Sequence, residues 1–379
     1  MNFQESQIAF WNIINGETRG SQRRHRGTDP RTGQLLWSCP VASKDDLDGA
    51  ANAAQTAFRN WANMDIAYII CTETGKSKCM GDLEVEHSIN FLGFNGELHL
   101  RTHTCPDRSC GGYLPVNFSL VLATAKIAAA LVMGNCLTVK PSPFTPYSTL
   151  KFAELAARIL AAGVFQALNG QKIIENAAKT LKKVTLVLGG NDATIVFPDV
   201  AVEEVAVQVA MGSFFNLGQM CVATKRIYIH ESIYEEFNES MVRAVQALMA
   251  VSDSSSLLGP LQNKMQHAVI QKLIAESREL SHNFAIGGDQ CSLPGNFISP
   301  IIIDRPPDDA ALVQEEQFGP IVPLLSWKTE EEVLRRFNDT ESGLGACVWS
   351  RDREKAEHFE KPNPAGYFSG HKKSGIGGE

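Results

Sequence analysis

The sequence predicts an α/β fold with mostly parallel sheets, and three observations predict it. Short apolar runs bounded by glycine, proline or charge alternate with longer stretches of helical periodicity between Asp45 and Trp349. No internal repeat, low-complexity tract or linker interrupts that alternation. With 379 residues, 44% of them hydrophobic and 20% charged, the chain is long enough to bury the cores of two or three domains.

The elements follow in chain order. Arg19, Arg23, Arg24 and Arg26 form a short basic cluster flanked by glycine, which reads as a solvated loop. Asp45 to Trp61 reads as an amphipathic helix, because Leu47, Ala50, Ala54, Ala57 and Phe58 recur at helical spacing and Ser43 with Asp46 makes a capping box. Ala125 to Met133 and Ser148 to Leu160 are two more helices, and Cys136 to Val139 between them is a short buried strand ended by Lys140 and Pro141. Val184 to Leu188 is an apolar strand stopped by Gly189 and Gly190; Ala201 to Phe215 is a helix running into the loop Asn216 to Cys221. Then come strand Ile227 to Ile229, helices Ile233 to Ala250 and Asn263 to Leu280, strands Ile298 to Ile303 and Ile321 to Ser326, helix Glu330 to Phe337 and strand Gly345 to Trp349.

Composition narrows the function. Lys plus Arg number 35 against 42 Asp plus Glu, a net charge of −7, which gives no general attraction to nucleic acid or anionic lipid. The longest apolar stretch, around Ile127 to Met133, is far below the roughly 20 residues that span a bilayer. Residues 1–14 contain Glu5 and no basic leader, so the expected location is cytoplasmic. Nine cysteines without CxxC spacing suit reduced thiols better than a disulfide framework.

Three segments carry reactive groups. Gly218 to Thr224 places Cys221 after a helix and before a strand, where a loop presents a thiol at a cleft or a core buries it. Asn117, flanked by apolar residues, is either a satisfied turn residue or a donor to a developing oxyanion. Glu315 and Glu316 precede Gln317, Phe318, Gly319 and Pro320, a carboxylate pair before an aromatic and a tight turn. His99, His103, Cys105 and Cys110 match no common zinc spacing, no metal is expected, and a GxGxxG fingerprint is absent.

Taken in order, these segments resemble the aldehyde dehydrogenase superfamily from end to end. Pro115 to Phe118 resembles its proline, tryptophan, asparagine, phenylalanine motif, and Gly134 to Pro146 its glycine, asparagine, lysine, proline strand and turn. Val184 to Gly190 resembles the strand that carries the family's glutamate, Phe215 to Cys221 its cysteine loop, Glu315 to Pro320 its carboxylate, phenylalanine, glycine, proline motif, and Phe368 to Gly377 its glycine-rich C-terminal motif. Ile14 to Glu17, Asp29 to Gly33 and Pro40 to Ser43 resemble its entry segment.

The resemblance implies a Rossmann-type cofactor domain over 1–186, an α/β catalytic domain over 187–366 and a return segment over 367–379 without the oligomerisation tail. It implies oxidation of a small-molecule aldehyde to an acid with NAD or NADP, with Cys221 as nucleophile, Asn117 and the Cys221 amide as oxyanion hole, Lys140 on the adenosine ribose, and Glu316 with Phe318 at the nicotinamide ribose. Pro143 stands where many NAD-preferring members carry a glutamate, which leaves both dinucleotides open. A homo-oligomer is implied in weakened form.

Four departures from the pattern bear on activity. Val187 replaces the water-activating glutamate, a loss typically costing ~10² to 10⁴ in rate. The chain passes from Gly170 to Gln171 and a helix Ile173 to Leu181 without the pyrophosphate-presenting turn; the region from Ile70 to Gly111 is compressed; and a strand is missing after Gly366. The alternative function is therefore an inactive family member acting as a binding subunit. An acyl-transferring thiol enzyme is a third.

Overall fold

The computed structural model describes residues 10–43, 45–46, 50, 80, 83–84, 86–88, 90, 109–132, 135–157, 160, 162–167, 186–187, 189–250, 256–289, 295–354 and 371–376. The chain divides into two compact units, Met1–Lys182 and Lys183–Glu379.

In the first unit a five-stranded sheet runs β2-β1-β7-β6-β5. Its strands are β1 (Asn12–Ile14), β2 (Glu17–Arg19), β5 (Ser109–Tyr113), β6 (Cys136–Lys140) and β7 (Phe165–Ala167). β5, β6 and β7 are parallel, and β1 closes on β7 antiparallel. Strands β3 (Arg24–Thr28) and β4 (Leu35–Pro40) form a separate antiparallel hairpin. The basic cluster is thus solvated but not a loop: Arg24 lies on β3, and its guanidinium donates to the hydroxyl and carbonyl of Ser38 across the hairpin. Helices α1 (Ser119–Val132) and α2 (Tyr147–Ala156) pack against this sheet through Ala123, Ile127, Leu150 and Phe152.

Helix α1 starts six residues before the position that periodicity marks. The carboxylate of Glu84, 1% exposed, accepts from the amides of Leu120 and Val121 at 2.9 and 3.2 Å. A negative group at a helix N-terminus satisfies orphan donors and favours the dipole. This cap arrives from 36 residues away, where local periodicity has no view of it. The capping box at Ser43 forms as the sequence predicts: the Ser43 hydroxyl accepts from the Asp46 amide at 3.1 Å and the Asp46 carboxylate from the Ser43 amide at 2.8 Å. Asp45, Asp46 and Ala50 are helical, and the remainder of that expected helix lies outside the described residues.

The second unit holds a six-stranded sheet of order β11-β12-β13-β10-β9-β15. The strands are β9 (Asp192–Val196), β10 (Thr224–His230), β11 (Asn283–Ile286), β12 (Ile301–Asp304), β13 (Ile321–Trp327) and β15 (Ala346–Trp349). Every neighbouring pair is parallel except β11 with β12. Alternate residues feed two cores. Ile301, Ile303, Tyr228 and Leu325 face α5 (Lys264–Glu279), while Ile302, Ile227, Ile229 and Leu324 face α3 (Val202–Phe214) and α4 (Tyr234–Ala250). α5 is capped by the Asn263 side chain. A short α6 (Ala311–Gln314) precedes β13, and α7 (Glu330–Asn338), capped by Thr329, follows it.

β8 (Leu186–Val187) pairs antiparallel with β17 (Gly375–Ile376), and β14 (Ser342–Gly343) pairs with β16 (His371–Lys372). β8 is the described part of the strand expected over Val184 to Leu188. The expected helix Ile173 to Leu181 and the residues His99, His103 and Cys105 lie outside the described residues, as do most positions of the compressed region and the end of the chain after Gly366 up to Gly370. No described helix is long and apolar enough to cross a membrane.

Candidate active site

The site of the second unit is built on the C-terminal end of α3. That helix stops at Phe214, and the chain turns through Phe215–Gly218, where Asn216 (φ 51°), Leu217 (φ 57°) and Gly218 (φ 70°) all take the left-handed region. Such backbone is uphill for asparagine and more so for leucine, so surrounding contacts must hold it. Gln219 and Asn216 hold it reciprocally: the Asn216 amide donates to the Gln219 carbonyl at 3.1 Å, and the Gln219 amide donates to the Asn216 carbonyl at 3.2 Å. Gln219 also donates to Pro260 and accepts from the Gln262 amide. The constrained turn delivers Cys221, half-buried and with a free thiol, just before β10.

Glu316 comes to the same place from the loop between α6 and β13. Its Oε1 accepts from the Gly190 amide at 3.0 Å. A Cβ on Gly189 would lie 1.8 Å from Oε2, so only glycine leaves room for the carboxylate there. Phe318, two residues on, has φ 46°. The structure therefore brings Cys221, Glu316 and the glycines 189 and 190 together within one unit.

Two charges that sequence reading did not single out complete the cluster. Asp192 heads β9 and is 5% exposed; its Oδ2 has no hydrogen-bond partner among the described residues. A Cβ on Gly190 would sit 2.2 Å from the Cys221 carbonyl and 2.9 Å from Asp192 Oδ1, so the carboxylate and the cysteine backbone share one narrow slot. Lys225, on β10, is 1% exposed and donates from Nζ to the Gly319 carbonyl at 2.8 Å. The signal for both was present as charge inside otherwise apolar strand runs, Asp192 before Ala193 to Val196 and Lys225 before Ile227 to Ile229.

The electrostatics follow from burial and sign. Burial pushes the Cys221 thiol up to about 11, and the negative charges of Asp192 and Glu316 push the same way. Burial raises Asp192 to about 6, against the Gly345 amide, with Glu316 raising it and Arg226 and Lys225 lowering it. Burial lowers Lys225 to about 7, although Glu316 and Asp192 oppose that. Glu316 is raised by burial, with the Gly190 amide and Lys225 acting against it. At neutral pH the resting thiol is protonated, beside a carboxylate and an ammonium that both titrate near neutrality.

The first unit carries the other two expected residues. Asn117, 5% exposed, lies in the turn between β5 and α1, and its side-chain amide makes no hydrogen bond among the described residues. Lys140 ends β6, half-buried; its Nζ donates to the Pro141 carbonyl at 2.8 Å, and burial lowers its pKa.

Comparison with known proteins bears on this arrangement. The model of the aldehyde dehydrogenase family matches residues 63–172 and 169–379. The FUS7 protein of Gibberella fujikuroi, provisionally named an aldehyde dehydrogenase, is 32% identical over 443 residues, covering 98% of this chain and 95% of that one. The NADP(+) succinate-semialdehyde dehydrogenase GabD of Escherichia coli is 29% identical over 451 residues, with 97% and 93% covered. A mutant of aldehyde dehydrogenase C from Pseudomonas syringae, solved with NAD+ and octanal, superposes with a TM-score of 0.90 at 24% identity, over 98% of this chain and 93% of that one.

Proposed function

Because this chain belongs to the aldehyde dehydrogenase family, we propose that it oxidises an aldehyde to a carboxylic acid with NAD or NADP through a covalent intermediate on Cys221. The observation that carries this reading is the convergence of the Cys221 turn and the Glu316 carboxylate on the Gly189–Gly190 backbone. Relatives support the cofactor: GabD is named for NADP(+), and the Pseudomonas syringae enzyme was solved with NAD+.

The residues present fit a dinucleotide. Glu316 uses one oxygen on Gly190, which leaves Oε2 to accept from a ribose hydroxyl, and Lys140 spends one of its three donors on Pro141. In this reading Lys140 holds the adenosine ribose, Glu316 and Phe318 position the nicotinamide ribose, and the first unit is the cofactor-binding half. The bound dinucleotide supplies a hydride acceptor. Cys221, half-buried and within reach of solvent, loses its proton to water, attacks the aldehyde carbon as thiolate and forms a thiohemiacetal. The resemblance to the family gives Asn117 and the Cys221 amide as the donors to the resulting oxyanion, worth ~3 kcal/mol of barrier. With NAD or NADP bound to accept the hydride from the former aldehyde carbon, Cys221 would then hold the acyl group as a thioester. Water then releases the acid, and Val187 cannot activate that water.

Internal shortening is part of the proposal. The match to FUS7 runs over 443 residues although the chain has 379, so gaps fall inside it, and the family match breaks into two pieces that meet at residues 169–172. That is where the pyrophosphate-presenting turn is expected and not found in the sequence. Val187 and the high thiol pKa favour a second reading, an inactive binding subunit.

Titration with NAD and NADP followed by stopped-flow mixing with octanal and succinate semialdehyde separates the two. A single-turnover burst of reduced cofactor that vanishes in Cys221→Ala supports the dehydrogenase, with slow turnover thereafter assigned to Val187. A folded chain that binds neither dinucleotide at millimolar concentration overturns it.

A further inference from the structure

Lys225 is a buried charge that the proposed reaction does not use. Its Nζ hydrogen bond goes to the carbonyl of Gly319, in the turn that carries Glu316 and the left-handed Phe318. From the opposite side the cysteine turn closes on the same pair of atoms. A Cβ on Gly218 would lie 2.6 Å from Lys225 Nζ and 2.5 Å from the Gly319 carbonyl oxygen. Gly319 is backed by the side chains of Ile270 and Leu261, 2.5 and 3.6 Å from where its own Cβ would stand, so its turn has little room to retreat. The ammonium therefore sits at a point where the two turns of the site meet, with glycine on both sides of it.

Packing alone does not explain a lysine here. A buried ammonium with a single hydrogen bond among the described residues is costly, and an apolar side chain of similar volume would fill the space at lower cost. The charged groups that face it are Glu316, from the loop before β13, and Asp192, from the head of β9. Arg226, next on β10, is committed to the carbonyls of Asn191, Arg336 and Phe337. Among the described residues the Cys221 thiol and the Gly345 amide lie beside Asp192, and the Gly190 amide donates to Glu316.

We propose that Lys225 is a positioning residue: its ammonium ties the turn carrying Glu316 and Phe318 to the turn carrying Cys221 and supplies the positive charge that faces Glu316 and Asp192. This rests on the roles of Cys221 and Glu316 given above. The hydrogen bond fixes geometry, and the charge keeps two buried carboxylates from taking up protons near neutral pH.

The test compares Lys225→Arg, Lys225→Gln and Lys225→Met in the full chain, each first checked for native near-ultraviolet circular dichroism. Iodoacetamide labelling of Cys221 at pH 6, where the Lys225 ammonium is present, run over extended times and followed by peptide mass spectrometry, reads the cysteine turn without any cofactor. The labelling rate is expected to rise on the order of tenfold in Lys225→Met, about what one charge-assisted hydrogen bond is worth, less in Lys225→Gln, which keeps a donor, and not at all in Lys225→Arg. The pH profile of NAD binding between pH 5 and 8 reads the charge: its acid limb moves to higher pH in Lys225→Gln and stays in place in Lys225→Arg. Labelling at the wild-type rate in Lys225→Gln and Lys225→Met overturns the positioning role, and Lys225→Gln alone decides if Lys225→Met does not fold. Failure of the wild-type chain to bind NAD or NADP overturns the dehydrogenase reading instead, because the labelling ratios do not depend on it.

Discussion

The resting protonation of Cys221 yields a prediction with a magnitude. An ordinary thiol near pKa 8.5 is about 3% ionised at pH 7, whereas one at about 11 is ionised to ~10⁻⁴, some 300-fold less. A more basic thiolate is more nucleophilic, and a Brønsted slope near 0.45 over ~2.5 pKa units returns about tenfold of that. Cys221 should therefore react with iodoacetamide about 30-fold more slowly than an exposed thiol at pH 7, and its rate should keep climbing to about pH 11. Labelling from pH 6 to 11 with mass spectrometry of the Cys221 peptide measures the profile free of the other eight cysteines. Asp192→Asn removes a negative charge beside the thiol, so the midpoint should fall. A plateau below pH 8 would refute the buried-thiol argument. A midpoint that rises in Asp192→Asn would instead show Asp192 accepting the thiol proton.

Three further outcomes are expected. Lys225 is depressed from 10.5 to about 7 in the folded chain, so between those values the unfolded chain binds more protons and stability rises with pH, by on the order of 4 kcal/mol; denaturant titrations from pH 7 to 10.5 should show this slope, and Lys225→Met should flatten it. Glu84→Ala leaves the amides of Leu120 and Val121 without their carboxylate and should cost about 1–2 kcal/mol in urea unfolding. Phe214 is fully buried between α3, α4 and the six-stranded sheet, and Phe214→Ala should cost about 3–5 kcal/mol by the same measurement.

What the sequence makes legible is what repeats along the chain. The helices α3, α4, α5 and α7 and the strands β6, β10, β12, β13 and β15 stand within a few residues of where periodicity places them, because each has one face or both in a core and its pattern records that. β9 escaped notice because all five of its residues are buried and its first is an aspartate, so no alternation marks it, and the pair Gly189–Gly190 reads as the end of a strand instead of the gap between two. The three-residue strands β1, β2 and β7 are too short to show a period, and the start of α1 is set by Glu84, 36 residues upstream.

The same division runs through the site. Cys221 and Glu316 were visible as residue types at suggestive places, yet nothing local says that a glutamate 95 positions further on reaches Gly190 beside that cysteine. That meeting is a property of strand order: β9 and β10 are neighbours, β13 lies on the other side of β10, and the loops at their ends converge. Asp192 and Lys225 follow from this. Each occupies the first or second position of a central strand, where a side chain can be enclosed by the sheet and still face the loops above it. A charge at such a position is costly unless something at the strand ends uses it. In this chain both flank the turn that delivers Cys221, which is the physical reason to seek the control of that thiol in Asp192, and the hold on the two turns in Lys225.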